Sequence, residues 1–126
     1  MDELYKITGV VIGGASRGKS LGFPTANISL HKKIPEGIYA SEITVNGQTH
    51  QAASFVGSAK TFKKSDYKLE SYIFNFDQDI YGKSVTVRLY KKIRSNIVFD
   101  SVDELIAQMH KDVEEIKEFF TSKNDT

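Results

Sequence analysis

Five segments of the chain have hydrophobic patterns typical of β-strands. The clearest is Lys83–Lys91, where Val85, Val87 and Leu89 fall on one face and polar residues alternate with them. The other four predicted strands are Tyr5–Ile12, Ile38–Val45, Gln48–Val56 and Leu69–Phe76. A further short strand is predicted within Phe23–Leu30.

Turn residues separate these segments. Asn46-Gly47 lies between the second and third predicted strands, and Asn-Gly is a strong hairpin signal because both residues tolerate positive φ. The segment 77–82 is predicted to be the turn before Lys83–Lys91. The strands are therefore expected to form an antiparallel sheet.

One helix is predicted, over Phe99–Phe120. Ser101, followed three residues later by Glu104, has the pattern of a capping box. Apolar residues then recur at helical spacing, which predicts one buried face. These residues are Val102, Leu105, Ile106, Met109, Val113, Ile116 and Phe120.

A sheet of this size would expose its edges, and closing the sheet removes them. We therefore expect a mainly β fold: a small closed antiparallel barrel with the C-terminal helix packed on its outside. Residues 1–126 are expected to form a single domain, with 121–126 as a frayed tail.

Composition changes this picture little. Seventeen basic and sixteen acidic residues create no strong field, so charge does not indicate a nucleic-acid partner. The sequence contains no cysteine, and it shows neither a signal peptide nor an apolar run long enough to span a membrane. We expect a cytoplasmic protein without membrane contact.

The segment 13–22 is rich in glycine and contains two basic residues, so it is predicted to bind phosphate. The candidate nucleotide-binding residues are Gly13, Gly14, Arg17, Gly18, Lys19 and Gly22. The segment matches the P-loop pattern, but Gly22 and Pro24 oppose the helix that a P-loop requires. An ordinary glycine-rich surface loop is the alternative.

Thr25 and Asn27 follow this loop directly. They offer neutral oxygens of the kind that Mg²⁺ accepts, and their i, i+2 spacing puts both on one side of an extended segment. The alternative is that both residues only stabilise a turn after Pro24.

The chain resembles the riboflavin kinase family from Tyr5 to Phe120, most closely the C-terminal kinase module of bacterial bifunctional flavin-nucleotide synthetases. The matching segments, in family order, are Gly9-x-Val11, the run from Arg17 to Asn27, Pro35-x-Gly37-Ile38-Tyr39-Ala40, Leu69-Glu70, Asp79-Ile80-Tyr81-Gly82, Lys91-Lys92-Ile93-Arg94, Phe99 to Leu105, and Gln108 to Asp112.

The resemblance implies a six-stranded Greek-key barrel that converts riboflavin and ATP, with Mg²⁺, to FMN and ADP. It implies that Thr25 and Asn27 hold the magnesium, that Glu70 is the catalytic base and that Arg94 belongs to a flap over the flavin and nucleotide. It also implies that the module can be tethered to an adenylyltransferase domain in a longer parent protein. By strand alternation, Glu70 is predicted to share a face with Tyr72, Phe74 and Phe76. Without the resemblance, an exposed glutamate on an outward-facing strand is the favoured interpretation of Glu70.

The sequence departs from the family pattern in three places. The segment from Ser54 to Phe62 lacks the Asn and Pro of the usual Asn-Ile-Gly-x-x-Pro-Thr-Phe. Tyr72 replaces a His, and Asn96 replaces a Glu. A catalytically silent flavin- or nucleotide-binding module is therefore an alternative. A barrel that binds single-stranded nucleic acid through Tyr72 and its aromatic neighbours is another, although near-neutral charge opposes it.

Overall fold

The computed structural model describes residues 2–12, 25–58 and 67–124, which contain six strands and one helix. The strands are β1 (Tyr5–Val10), β2 (Thr25–Ser29), β3 (Gly37–Val45), β4 (Gln48–Ser58), β5 (Tyr67–Ile73) and β6 (Ser84–Arg94). The helix, α1, spans Val102–Asn124. It extends four residues beyond its predicted end at Phe120.

The six strands form one antiparallel sheet in the order β1-β6-β3-β4-β5-β2. Because β6 returns to lie beside β3, strands β3 to β6 have the arrangement of a Greek key. The sheet curls so that its two edges meet at an isolated bridge, where the Ile12 N–H donates to the Asn27 carbonyl at 2.8 Å. The predicted fold class is confirmed, and the antiparallel sheet excludes the P-loop fold.

Glycine is needed at this seam. A Cβ on Gly9 of β1 would lie 2.7 Å from Cγ2 of Ile28 on β2, which is closer than two carbon atoms approach. The missing side chain lets the two edge strands approach each other across the core. Gly9 therefore contributes directly to closing the sheet.

The main core fills the inside of the curled sheet. It includes Ile28, Ile43, Leu69, Val87 and Leu89, each with at most 1% of its surface exposed. The predicted alternation in β6 is confirmed, since its valines and leucine at 85, 87 and 89 all face this core.

The helix packs on the outer face of the sheet and forms a second apolar cluster there. Ile116 and Phe120 of α1 contact the cluster that contains Ala40 of β3 and Phe74 just after β5. The N-terminus of α1 is capped as predicted: the Glu104 N–H donates to Ser101 Oγ at 3.1 Å. Val102 was expected in the buried stripe, but 46% of it is exposed because it lies ahead of the turns that reach the sheet.

Two turns fix the strand ends. Asn46 and Gly47 both have positive φ, 53° and 76°, as the predicted hairpin requires. Asn75 also has a φ of 53° and ends β5 early, so Phe76 leaves the strand and packs against the main core. The prediction that Phe76 shares a face with Glu70 is therefore wrong.

No helix in the described part of the chain has the length and apolarity needed to cross a membrane.

Candidate active site

Three predicted site residues meet on the two neighbouring strands β2 and β5. Asn27 is the direct cross-strand partner of Glu70, and Thr25 is the partner of Tyr72. Directly opposed side chains of an antiparallel pair lie on the same face. Thr25 Oγ1 donates a hydrogen bond to Glu70 Oε1 at 3.4 Å. Residues that are far apart in the sequence thus form one polar cluster.

Asn27 is the most unusual member of this cluster. Only 5% of it is exposed, and its Oδ1 atom has no hydrogen-bond partner among the described residues. Leaving a buried acceptor unpaired costs about 1–3 kcal/mol, so such atoms point to a missing partner. A neutral amide oxygen suits a hard cation.

Thr25 can serve the carboxylate and a cation at the same time. Its hydroxyl proton is directed to Glu70, which leaves the two lone pairs of Oγ1 available. The cluster therefore presents two neutral oxygens, from Thr25 and Asn27, beside one carboxylate.

This cluster belongs to a line of residues that crosses the whole outer face, which we call the site row. Each member is the cross-strand partner of the next. In order around the barrel, the row consists of Ile12, Asn27, Glu70, Phe55, Ile38 and Arg94. The row connects the start of the glycine-rich segment, which follows Ile12, with the end of β6.

Arg94, at the far end of the row, is held by the helix. Its guanidinium forms a two-pronged ion pair with Asp112 of α1, with distances of 2.9 Å from Nε and 2.7 Å from Nη2. Gln108 donates to the same carboxylate at 3.0 Å, and the guanidinium lies 5.8 Å from the Phe99 ring centroid. The end of β6 is thus attached to α1.

Sequence reasoning did not single out Asp112 as a site residue. A signal was present: Asp112 lies among Met109, Val113 and Ile116 at helical spacing, so it falls on the apolar face. An acidic residue at such a position requires a buried partner, because an unpaired charge is costly to bury. Asp112 is only 4% exposed, and Arg94 is that partner.

The predicted phosphate-binding residues lie outside the described part of the chain. They are Gly13, Gly14, Arg17, Gly18, Lys19 and Gly22. The two ends of their segment are described, at Ile12 and Thr25, and both border the seam beside Asn27. Their role in binding phosphate stays a prediction.

The first half of the divergent segment Ser54–Phe62 belongs to β4, and residues 59–62 lie outside the described part. Ser54 is buried in a chain of hydroxyls inside the barrel. The Oγ atoms of Ser71 and Ser41 each lie 2.7 Å from Oγ of Ser54. The Ser41 hydroxyl also donates to the Ala52 carbonyl at 2.9 Å. Each hydroxyl is satisfied, so Ser54 fits the core without strain.

The three histidines do not form a metal site. His31 and His110 are exposed, whereas His50 is half-buried and its ring centroid lies 4.8 Å from that of Phe76. Within the described ranges, no group of three His, Cys, Asp or Glu residues is arranged to hold a metal.

A family model, curated relatives and a solved structure that match this chain all carry the name riboflavin kinase. Residues 1–120 match the family model described as "Flavokinase: Riboflavin kinase". The chain is 38% identical over 125 residues to the bifunctional riboflavin kinase/FMN adenylyltransferase of Listeria monocytogenes, covering 96% of this chain and 40% of the relative. The chain spans 18% to 40% of the length of the first curated relatives it matches.

Two solved structures share the fold. The crystal structure of riboflavin kinase from Trypanosoma brucei aligns with a TM-score of 0.67 and 26% identity, covering 92% of this chain and 79% of that one. A Streptococcus pneumoniae structure titled as a macrolide-efflux protein aligns with a TM-score of 0.80 and 36% identity. It covers 89% of this chain and 38% of that one.

Proposed function

The chain belongs to the riboflavin kinase family, and we propose that it transfers the γ-phosphoryl group of ATP to the 5′-hydroxyl of the riboflavin ribityl chain. The products are FMN and ADP. One observation carries the proposal most directly: Thr25, Asn27 and Glu70 form a single cluster, and the buried Oδ1 of Asn27 has no partner among the residues that the structure describes.

Thr25 and Asn27 fit a magnesium ion. Within the described part of the chain, the buried Oδ1 of Asn27 lacks a partner, and the lone pairs of Thr25 Oγ1 are left available by its bond to Glu70. When bound together with ATP, magnesium neutralises charge on the phosphate oxygens. The neutral side chains suit this task because the nucleotide itself supplies the negative ligands.

Glu70 is placed to act on the acceptor alcohol. It lies directly beside Asn27, so a hydroxyl that contacts its carboxylate also lies next to the metal-binding oxygens. Its carboxylate accepts the hydroxyl proton as the new P–O bond forms. Thr25 holds one carboxylate oxygen by its hydrogen bond and orients the group.

The order of residues in the site row supports binding of the two substrates on opposite sides of Asn27. The glycine-rich segment connects Ile12 and Thr25, which favours a position for the triphosphate at the seam between β1 and β2. Attacking and leaving oxygens lie roughly in line in phosphoryl transfer. The acceptor therefore approaches from the other side of Asn27, across β5 and β4.

The wider setting of the reaction follows from its substrates. We propose a cytoplasmic location, which the use of ATP as a substrate supports. The names of several relatives join the kinase to an FMN adenylyltransferase, and we propose that this chain works as a kinase module compatible with such a partner domain.

Separation of reaction products tests the proposal. The purified chain is incubated with riboflavin, ATP and Mg²⁺, and flavins and adenine nucleotides are quantified by chromatography. We expect FMN and ADP in equal amounts, and no FAD. Absence of FMN under conditions in which the protein binds riboflavin would favour a silent binding module instead.

A further inference from the structure

Phe55 is an aromatic residue in the middle of the site row that neither apolar cluster of the described residues includes. It is the direct cross-strand partner of Glu70 on one side and of Ile38 on the other. It therefore lies on the outer face of β4, next to the proposed base, and is only half-buried.

The position of the ring is fixed by a glycine. A Cβ on Gly57 would lie 2.8 Å from Phe55 Cζ and 3.0 Å from Glu36 Oε1. Any larger residue at position 57 would displace the ring, so the ring rests along β4 on the bare backbone of Gly57. The Phe55 ring is thus held against the backbone at Gly57 and offers a fixed flat surface, which we call the platform.

The arrangement of the two proposed substrates indicates which ligand would contact the Phe55 ring. In the proposed function the triphosphate lies on the Ile12 side of Asn27, so a hydroxyl at Glu70 would carry the rest of its molecule away from the phosphates, over β4 and β3. The first side chains on that path are Phe55 and Ile38, both apolar. From Glu70 to Arg94 the row crosses three strand spacings, about 14 Å, which is room for an extended aromatic substrate.

We propose that Phe55 is a specificity-determining residue for the acceptor, and that its ring packs against the planar isoalloxazine of riboflavin while the ribityl hydroxyl reaches Glu70. This inference rests on the proposed function and adds to it the residue that selects a flat aromatic acceptor. The family pattern has asparagine two residues before the glycine, so the ring at position 55 is a property of this chain.

Kinetics of Phe55→Leu test the inference. Leucine keeps the apolar surface but removes the ring plane, and the stacking of a base on an aromatic side chain is worth roughly 5- to 150-fold in affinity. We expect the KM for riboflavin to rise about 10-fold, with kcat and the KM for ATP nearly unchanged. Phe76→Leu removes another half-buried aromatic ring away from the row and is the matched control.

Fluorescence of bound flavin provides a readout that does not require turnover. A tyrosine in contact with isoalloxazine quenches its emission by electron transfer, so Phe55→Tyr is expected to bind riboflavin as tightly as the wild type with lower fluorescence. Phe76→Tyr is expected to leave the emission unchanged.

The outcomes separate the inference from the proposed function. If the wild type makes FMN but Phe55→Leu keeps its KM for riboflavin and Phe55→Tyr does not quench, the inference is wrong and the function stands. If the wild type binds riboflavin without turnover, quenching in Phe55→Tyr alone still supports the platform, and its absence overturns it. If riboflavin does not bind, both are overturned.

Discussion

At the scale of single residues, Asn27 is the position at which the proposed metal site and a purely structural turn make different predictions. Its buried Oδ1 is unpaired among the described residues, which is costly unless a ligand satisfies it. We expect Asn27→Ala to weaken ATP binding in the presence of Mg²⁺ by at least roughly 10-fold, the lower end of the loss seen when even outer-shell groups are removed from metal sites. Riboflavin binding should change little.

Titration calorimetry measures this effect with and without magnesium. Ser29→Ala is the control, because Ser29 lies two residues further along the same face of β2 and is exposed. An unchanged affinity for ATP with Mg²⁺ in Asn27→Ala would contradict the assignment of the metal site.

Tyr90 gives the fold a pH dependence at alkaline pH. Its phenol donates to Glu42 Oε1 at 2.6 Å, and burial, together with this bond, raises the pKa of Tyr90 from 10.0 to about 12. In the folded protein the phenol stays protonated up to about pH 12, whereas in the unfolded chain it ionises near pH 10. Its contribution to stability is therefore complete below pH 10 and lost as the pH rises to about 12.

Denaturant unfolding between pH 9 and pH 12 tests this linkage. We expect the free energy of unfolding of Tyr90→Phe to fall less steeply with pH than that of the wild type. Tyr81→Phe, a change at an exposed tyrosine, should follow the wild-type curve. Parallel curves for Tyr90→Phe and the wild type would show that Tyr90 does not carry the dependence.

Some site residues are visible in the sequence and others are not. The spacing of Thr25 and Asn27 predicts two oxygens on one face, and the structure confirms that face. That Asn27 lies opposite Glu70 depends on strand register, which no local pattern encodes. Asp112 was missed as a site residue because its partner, Arg94, is 18 residues away.

At the scale of elements, the joint between β6 and α1 contains a buried ion pair in addition to its apolar contacts. Asp112 is almost fully buried, and all its described bonds go to Arg94 and Gln108. Removing one partner of a buried pair leaves an uncompensated charge. We expect Asp112→Asn to lower the free energy of unfolding by about 3 kcal/mol.

Equilibrium unfolding in urea checks this value. Glu115→Gln, on the exposed side of the same helix, removes an equal charge and should change stability by less than about 0.5 kcal/mol. A similar small loss in Asp112→Asn would mean that the apolar cluster around Ile116 and Phe120 holds the helix without the ion pair.

Element types were predictable from the sequence, while several ends were not. Alternation located β6, and Asn46-Gly47 located the hairpin between β3 and β4. The predicted end of β5 was wrong because Asn75 adopts positive φ, which a periodicity of hydrophobic residues does not reveal. β6 runs on to Arg94 because it pairs with β3 across two irregularities in register.

At the scale of the whole molecule, topology creates the site. The strand order places β2 beside β5. Thr25 and Asn27 on β2 therefore meet Glu70 on β5, although the two strands are far apart in the sequence. Patterns of hydrophobic residues predict strands but not their neighbours, and the six-stranded order came from the family resemblance. The same order excludes the P-loop fold that the segment Gly13–Ser20 matches by sequence alone.

Turnover by Glu70→Gln tests the central claim most directly, because glutamine keeps the shape of the side chain and removes the base. FMN formation is followed under saturating riboflavin and Mg²⁺-ATP, and riboflavin affinity is measured by fluorescence. The account predicts a fall in kcat of roughly 10²- to 10⁴-fold with little change in affinity. Wild-type turnover in Glu70→Gln would contradict it.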